Sequence, residues 1–160
     1  MIILNEQNVS LSKGLFFLVL LSFLTFAQEW NEALIIQGKI FIVSYNELYQ
    51  QPNWIFYCVR DVPKNVDRKG YNFWKDVQVW NSNNADYKNN IWDKGHFTPA
   101  AAFSDSKVNL KATFSFLNFT LQHQRLNRKE WAQLKHQVRD WAKAFDDMSL
   151  EIDILFEQTL

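Results

Sequence analysis

Trp92-Asp93-Lys94-Gly95-His96-Phe97-Thr98-Pro99-Ala100 and, further along, Phe116-Leu117-Asn118-Phe119-Thr120-Leu121-Gln122-His123-Gln124-Arg125-Leu126-Asn127-Arg128-Lys129-Glu130-Trp131 are the two stretches on which the reading of this chain turns. The first places a histidine directly behind a glycine in a loop. The second passes from apolar, strand-like residues into the start of a helix. From Asn127 onward, Trp131, Leu134, Val138, Trp141 and Phe145 recur at helical spacing and make one apolar stripe. Asn127 followed by Glu130 has the form of a capping box, so the helix is expected to open at Asn127. Taken singly, a lone histidine is commonly a surface or satisfied core residue, and an asparagine at a helix start is commonly a cap. The pairing of the two is what suggests chemistry.

Working outward, residues 34–36 and 39–45 are rich in β-branched and aromatic side chains, as strands are. Residues 46–53, with Pro52, read as a turn into a returning strand over 54–60, and the two strands as a hairpin. Cys58 alternates with aromatic residues in that strand and reads as a buried structural thiol. Residues 61–95 are polar and weakly periodic, and a loop that long in a compact domain is usually functional or badly ordered. A third strand is expected over 113–118 and a last one over 150–156. Strands, then a helix, then a strand is an α+β order.

A chain of 160 residues supports one domain with a real core, and its 48% apolar and 21% charged content are those of a globular protein. The single cysteine excludes an intramolecular disulfide. With 17 basic and 17 acidic residues the formal charge is zero, so global charge gives no support to a nucleic-acid partner. Local charge is left to do the job: Lys64, Arg68, Lys69 and Lys94 precede or lie within the proposed site, and Arg125, Arg128 and Lys129 flank its other half. Ordinary solvated surface charge is the competing reading.

Residues 14–26 carry no charge and follow Lys13, with small Thr25 and Ala27 before the polar Gln28-Glu29. The run is shorter than the roughly twenty residues a membrane span needs, and it has the parts of a secretory signal peptide. The expectation is a signal peptide over 1–27 and a domain over 28–160, exported to the periplasm or the exterior, with no membrane contact after cleavage. The long segment ahead of Lys13, which includes Glu6, points to a start at a later codon; an uncleaved membrane anchor is the alternative.

Phosphodiester hydrolysis needs a base for water, a cation for the charge of the transition state, and help for the leaving oxygen. A histidine suits the first task near neutral pH. Magnesium keeps several waters and often takes one or two protein oxygens plus phosphate, so one asparagine carbonyl can seat it.

The arrangement resembles the DNA/RNA non-specific endonucleases of the ββα-metal superfamily, which include secreted bacterial nucleases and endonuclease G. The resemblance rests on Asp93-Lys94-Gly95-His96 with Pro99-Ala100, then Leu117-Asn118 with Gln122, then Leu126-Asn127 with Trp131 and Leu134, and covers roughly residues 40–157. It implies an antiparallel sheet with a helix carrying the metal ligand, and magnesium-dependent cleavage of DNA and RNA with little sequence specificity. It implies His96 as general base and Asn127 as the direct magnesium ligand, with manganese able to substitute. Asn118 falls at a motif position where it would orient His96 or a bound water. Asp93 would organise the histidine loop, turn capping being the alternative. Arg68 and Lys94 would hold phosphate of the DNA or RNA backbone; no protein partner is evident.

The chain also departs from the pattern. Lys94 replaces the usual arginine and so loses bidentate phosphate geometry, and Leu117 replaces the usual serine. Lys135 stands where the family has an acid that holds metal-bound water, with Glu130 nearby as a possible compensation. The family's domain also continues beyond the equivalent of Leu160, which suggests a domain incomplete at its C-terminal side. These departures motivate a second reading, a nuclease-fold protein that binds nucleic acid with weakened or no turnover. A third, an exported carbohydrate-binding module in which His96, His123 and His136 are incidental or chelate zinc, lacks the cysteine-histidine spacing of a zinc site.

Overall fold

The computed structural model describes residues 34–156. The expected signal peptide and the outermost residues of the expected domain lie outside the described residues.

Four antiparallel strands form the main sheet in the order β1 (Leu34–Gln37), β2 (Phe41–Asn46), β3 (Gln51–Arg60), β6 (Asp147–Asp153). The expected hairpin is β2–β3, with Phe41 opposite Tyr57 and Val43 opposite Ile55. Alternation sends Val43, Tyr45, Ile55, Tyr57 and Val59 to the buried face. Cys58 falls on the other face and is half-buried rather than buried, because the strand's period of two places it out of phase with Tyr57 and Val59. Pro52, expected in the turn, sits inside β3 opposite Tyr45, beside an irregularity at Ser44/Tyr45. It precedes the point where β6 begins to pair, at Trp54, so its missing N–H interrupts no ladder on that side.

The second sheet is the hairpin of β4 (Trp92–His96) and β5 (Phe119–His123), with Asp93 opposite Gln122 and His96 opposite Phe119. Two helices follow it, α2 (Gln124–Arg128) and α3 (Glu130–Ala144). Two strands feeding a helix are the expected ββα unit.

Four expectations need correction here. Residues 113–118 are not a strand: helix α1 (Lys107–Ala112), capped by the Ser106 side chain, ends at Thr113, and a 3-10 turn spans Phe116–Asn118. Residues 92–95, expected as loop, belong to β4. The long helix does not open at Asn127. Lys129 leaves helical geometry (φ −117°, ψ −94°) and divides α2 from α3, so no capping box forms between Asn127 and Glu130. The expected apolar stripe is also rotated. Leu134, Trp141 and Phe145 are 41%, 39% and 71% exposed, whereas Val138 and Ala142 are buried and Trp131 and Lys135 half-buried. The inward face of α3 is therefore Trp131, Lys135, Val138 and Ala142.

Candidate active site

Register decides which side chains meet at the β4–β5 hairpin. Gly95 lies under Gln122, and a Cβ at Gly95 would come within 2.4 Å of the Gln122 amide oxygen, so only glycine permits this approach. Two residues on, the Phe97 N–H donates to the Asn118 carbonyl at 3.1 Å. The Asn118 side chain is fully buried: its Oδ1 accepts from the Thr98 N–H (2.7 Å), and its Nδ2 donates to the carbonyls of Thr98 and Thr113 (2.9 Å each). Both polar ends are thereby committed to backbone. Asn118 thereby fixes the turn behind His96, with both ends of its amide bonded to backbone rather than to the imidazole or left open toward a bound water.

Asp93 organises the site's acidic side. Its Oδ2 accepts from Asn127 Nδ2 at 3.0 Å and from Arg128 Nε at 2.9 Å, while Oδ1 accepts from Arg128 Nη2 at 2.8 Å. The two-pronged guanidinium bond holds the Asp93 carboxyl below its ordinary range. Because the carboxylate takes the NH2 end of the Asn127 amide, the amide's orientation is settled and its Oδ1 is left without a hydrogen bond among the described residues. A neutral, fixed oxygen of this kind suits a hard divalent cation.

The other side carries the imidazole. His96 packs edge-on against Phe119 (4.2 Å between ring centroids) and Phe114 (5.5 Å), with Phe73 at 6.1 Å. The Trp131 indole donates to the His96 carbonyl at 2.9 Å, tying β4 to the first turns of α3. The His96 Nε2 is shielded from solvent and has no hydrogen-bond partner. Burial, followed by the charges of Lys135 and Arg68, pushes the imidazole down to about 3. The free protein therefore carries a neutral His96 at physiological pH, able to accept a proton.

Arg68 comes from the long loop after β3, which is anchored by hydrogen bonds from Val66 N–H to the Ser104 carbonyl and from Trp74 N–H to the Phe114 carbonyl. Lys135 is half-buried on the inward face of α3, where burial, Arg139 and Arg68 lower its proton affinity. Sequence reasoning placed Arg68 and Lys135 near the site but missed Arg139, one turn beyond Lys135, and Phe73. The i to i+4 spacing could have found Arg139; no pattern marks Phe73.

Lys94 does not join this group. Its ammonium lies over the Phe73 ring at 4.2 Å from the centroid and donates to Asn84 Oδ1. Arg128 is engaged with Asp93, and Lys64 donates to the Arg60 and Val62 carbonyls. Glu130 is exposed on the first turn of α3, with no compensating contact to Lys135. The three histidines lie apart: His123 accepts from the Arg125 N–H, and His136 pairs with Asp140 on the outer side of α3.

A model of the DNA/RNA non-specific endonuclease family matches residues 27–159. A nuclease of Syncephalastrum racemosum is 28% identical over 130 residues, which cover 76% of this chain and 41% of the relative. The mitochondrial endonuclease G of Caenorhabditis elegans is 31% identical over 113 residues, covering 64% and 36%. The mitochondrial nuclease of Saccharomyces cerevisiae is 29% identical over 118 residues, covering 69% and 36%. This chain thus spans 36–41% of the length of these relatives. The crystal structure of the EndoG/EndoGI complex is similar in fold, with a TM-score of 0.67 at 24% identity over 73% of this chain and 51% of that one. With the family model covering most of its length, the chain belongs to the DNA/RNA non-specific endonuclease family.

Proposed function

We propose that this chain hydrolyses phosphodiester bonds in DNA and RNA with little sequence specificity, using His96 as general base and Asn127 as the ligand of a magnesium ion. The observation that carries the reading is the pairing of a neutral imidazole, its Nε2 without a partner, with an Asn127 amide whose oxygen is left open by Asp93. Magnesium bound there supplies positive charge to the scissile phosphate. His96 Nε2 accepts the proton of the attacking water. Because that nitrogen is shielded from bulk solvent, the water arrives with the substrate. A phosphate beside Arg68 and Lys135 offsets their charge on the imidazole and raises its proton affinity toward the operating pH. Contacts to phosphate position a strand without reading bases, which accounts for low specificity.

The test is incubation of the purified chain with plasmid and with RNA, with and without magnesium. Cleavage of both that chelator abolishes supports the reading; intact substrates in every condition overturn it. The second reading, a binding protein without turnover, draws on one observation: a half-buried Lys135 ammonium among the charges around His96 disfavours a dication. Intact substrate together with retained binding would select it.

The export reading stands beside this one. The uncharged run over 14–26 with Thr25 and Ala27 supports cleavage after residue 27, leaving a domain over 28–160 in the periplasm or outside the cell. The N-terminal sequence of the protein recovered from an expressing culture checks it, and an unprocessed, cell-retained chain would refute it.

A further inference from the structure

We propose that Lys94 is a positioning residue for His96: its ammonium clamps the Phe73 ring beside the imidazole, and it does not hold phosphate. The inference rests on the reading of His96 as the general base and adds to it what keeps that base in place.

Strand alternation puts Lys94 and His96 on one face of β4, with Leu121 and Phe119 of β5 opposite them. Three rings surround the imidazole. Phe114 and Phe119 are buried and belong to the stretch that leads into β5. Phe73 is half-buried and comes from the long loop after β3. The next residue, Trp74, anchors the loop at that point: its N–H donates to the Phe114 carbonyl and its carbonyl accepts from the Phe116 N–H, each at 3.0 Å. The Phe73 ring meets Phe119 edge-on at 4.8 Å between centroids and Phe114 at 5.3 Å, while the Lys94 ammonium stands 4.2 Å from its centroid. A single ring thus bears on the imidazole and on the lysine two residues before it.

Lys94 is itself committed. It is half-buried, donates to Asn84 Oδ1, and lies 5.6 Å from the Tyr87 ring centroid. Asn84 and Tyr87 open and close a 3-10 turn capped by reciprocal bonds between Asn83 and Asp86, and the Tyr87 ring stacks on Phe116. The lysine therefore ties two parts of the long loop, at Phe73 and at Asn84–Tyr87, to β4. No carboxylate pairs with it among the described residues. The ring face and the Asn84 oxygen are what offset its lost hydration, and a phosphate would have to break both contacts to take it. A ring held beside the imidazole limits the tilts open to His96 and keeps its unpartnered Nε2 shielded until substrate enters. Misplacing a base by about 1 Å costs rate, so loss of the clamp lowers turnover rather than affinity.

Two measurements on the full chain test this. The first, made without nucleic acid or metal, is the rate at which diethyl pyrocarbonate modifies each histidine, resolved by peptide mass, with exposed His136 as the internal reference. Wild-type His96 reacts slowly. Lys94→Met speeds its modification about tenfold, the size of a desolvated cation–π contact, and leaves the reference unchanged. Lys94→Arg, which keeps a cation over the ring, stays near wild type. The second is cleavage of an oligonucleotide in magnesium: Lys94→Met lowers kcat about tenfold with KM and its salt dependence unchanged, and Lys94→Arg restores kcat. Should Lys94→Met not fold, Phe73→Leu, which removes the ring, gives the same two readouts. A raised KM with a weakened salt response at unchanged kcat makes Lys94 a phosphate contact and overturns the inference, as does His96 modification unmoved in the folded variant. Faster modification in Lys94→Met with no cleavage by the wild type keeps the clamp and removes the hydrolytic reading. Cleavage by the wild type with modification unmoved does the reverse.

Discussion

The two sides of the site are built on opposite electrostatic plans. On one, Asp93 satisfies Asn127 and Arg128 together, so the charges cancel and the hydrogen bonds close. On the other, Lys135, Arg68 and Arg139 stand near a neutral imidazole with no carboxylate partner among the described residues. The first side is held rigid by these bonds, with the Asn127 Oδ1 left open. The second holds half-buried Lys135 and Arg139 with no ion pair among the described residues. Closed hydrogen bonding and unpaired charge thus lie on opposite sides of one hairpin-helix unit.

The comparison can be broken at its most reactive point first. His96→Ala should reduce cleavage about a hundred- to ten-thousand-fold while leaving oligonucleotide binding nearly intact, since it removes a base and not a cation. Cleavage at close to the parent rate would take His96 out of the mechanism. Next, Lys135→Glu converts the cationic side into an acidic one. It should lower the magnesium needed for half-maximal cleavage about ten- to a hundredfold, because a carboxylate there can hold metal-bound water. A magnesium titration that leaves the requirement unchanged, or raises it, would place Lys135 outside the metal's field.

These two residues were not equally legible. His96 and Asn127 stood out through the resemblance of their motifs to the family, and the structure places them on β4 and α2, two elements joined by the Asp93–Asn127 bond. The orientation of Lys135 could not be read this way. The periodicity of Trp131, Leu134, Val138, Trp141 and Phe145 indicated a helix but ranked its faces by hydrophobicity, and the structure turns Leu134, Trp141 and Phe145 outward. Strand β4 was hidden because Asp93, Lys94 and Gly95 have poor strand propensity and are held extended by pairing with β5. Helix α1, six residues long, is too short to show a period. Residues 113–118 look like a strand by composition, but Asn118 and Ser115 draw the backbone into a buried turn that local preference does not announce.

A smaller effect sharpens the electrostatic contrast. In the unfolded chain His96 takes up a proton as pH falls through its ordinary value near 6.5, whereas in the folded protein it stays neutral down to about 3. Stability should therefore be independent of His96 above about pH 7.5 and decline as pH falls below 6.5, by about 2 kcal/mol between pH 8 and pH 5. Urea unfolding across that range should show a shallower decline in His96→Ala; identical slopes would mean the imidazole is not shielded in solution.

The least expected loss is mechanical. Gly95→Ala should cost about 1–2 kcal/mol, because the new methyl group overlaps the buried Gln122 side chain. The double variant Gly95→Ala/Gln122→Ala should recover part of it. Thermal melts that show no recovery would place the strain elsewhere.

The pairing of β3 with β6 has a consequence for the order of assembly. It runs from Trp54 opposite Asp153 to Arg60 opposite Asp147, and so joins the two ends of the described chain around everything between them. Contacts that close so long a loop form late, after local turns have already settled. The hairpin β4–β5 with α2 is short-range by comparison, so a refolding chain reaches the Asp93–Arg128 clasp while the main sheet is still open. During folding, then, the Asp93–Arg128 clasp is expected to stand before the long loop between β3 and β6 is closed.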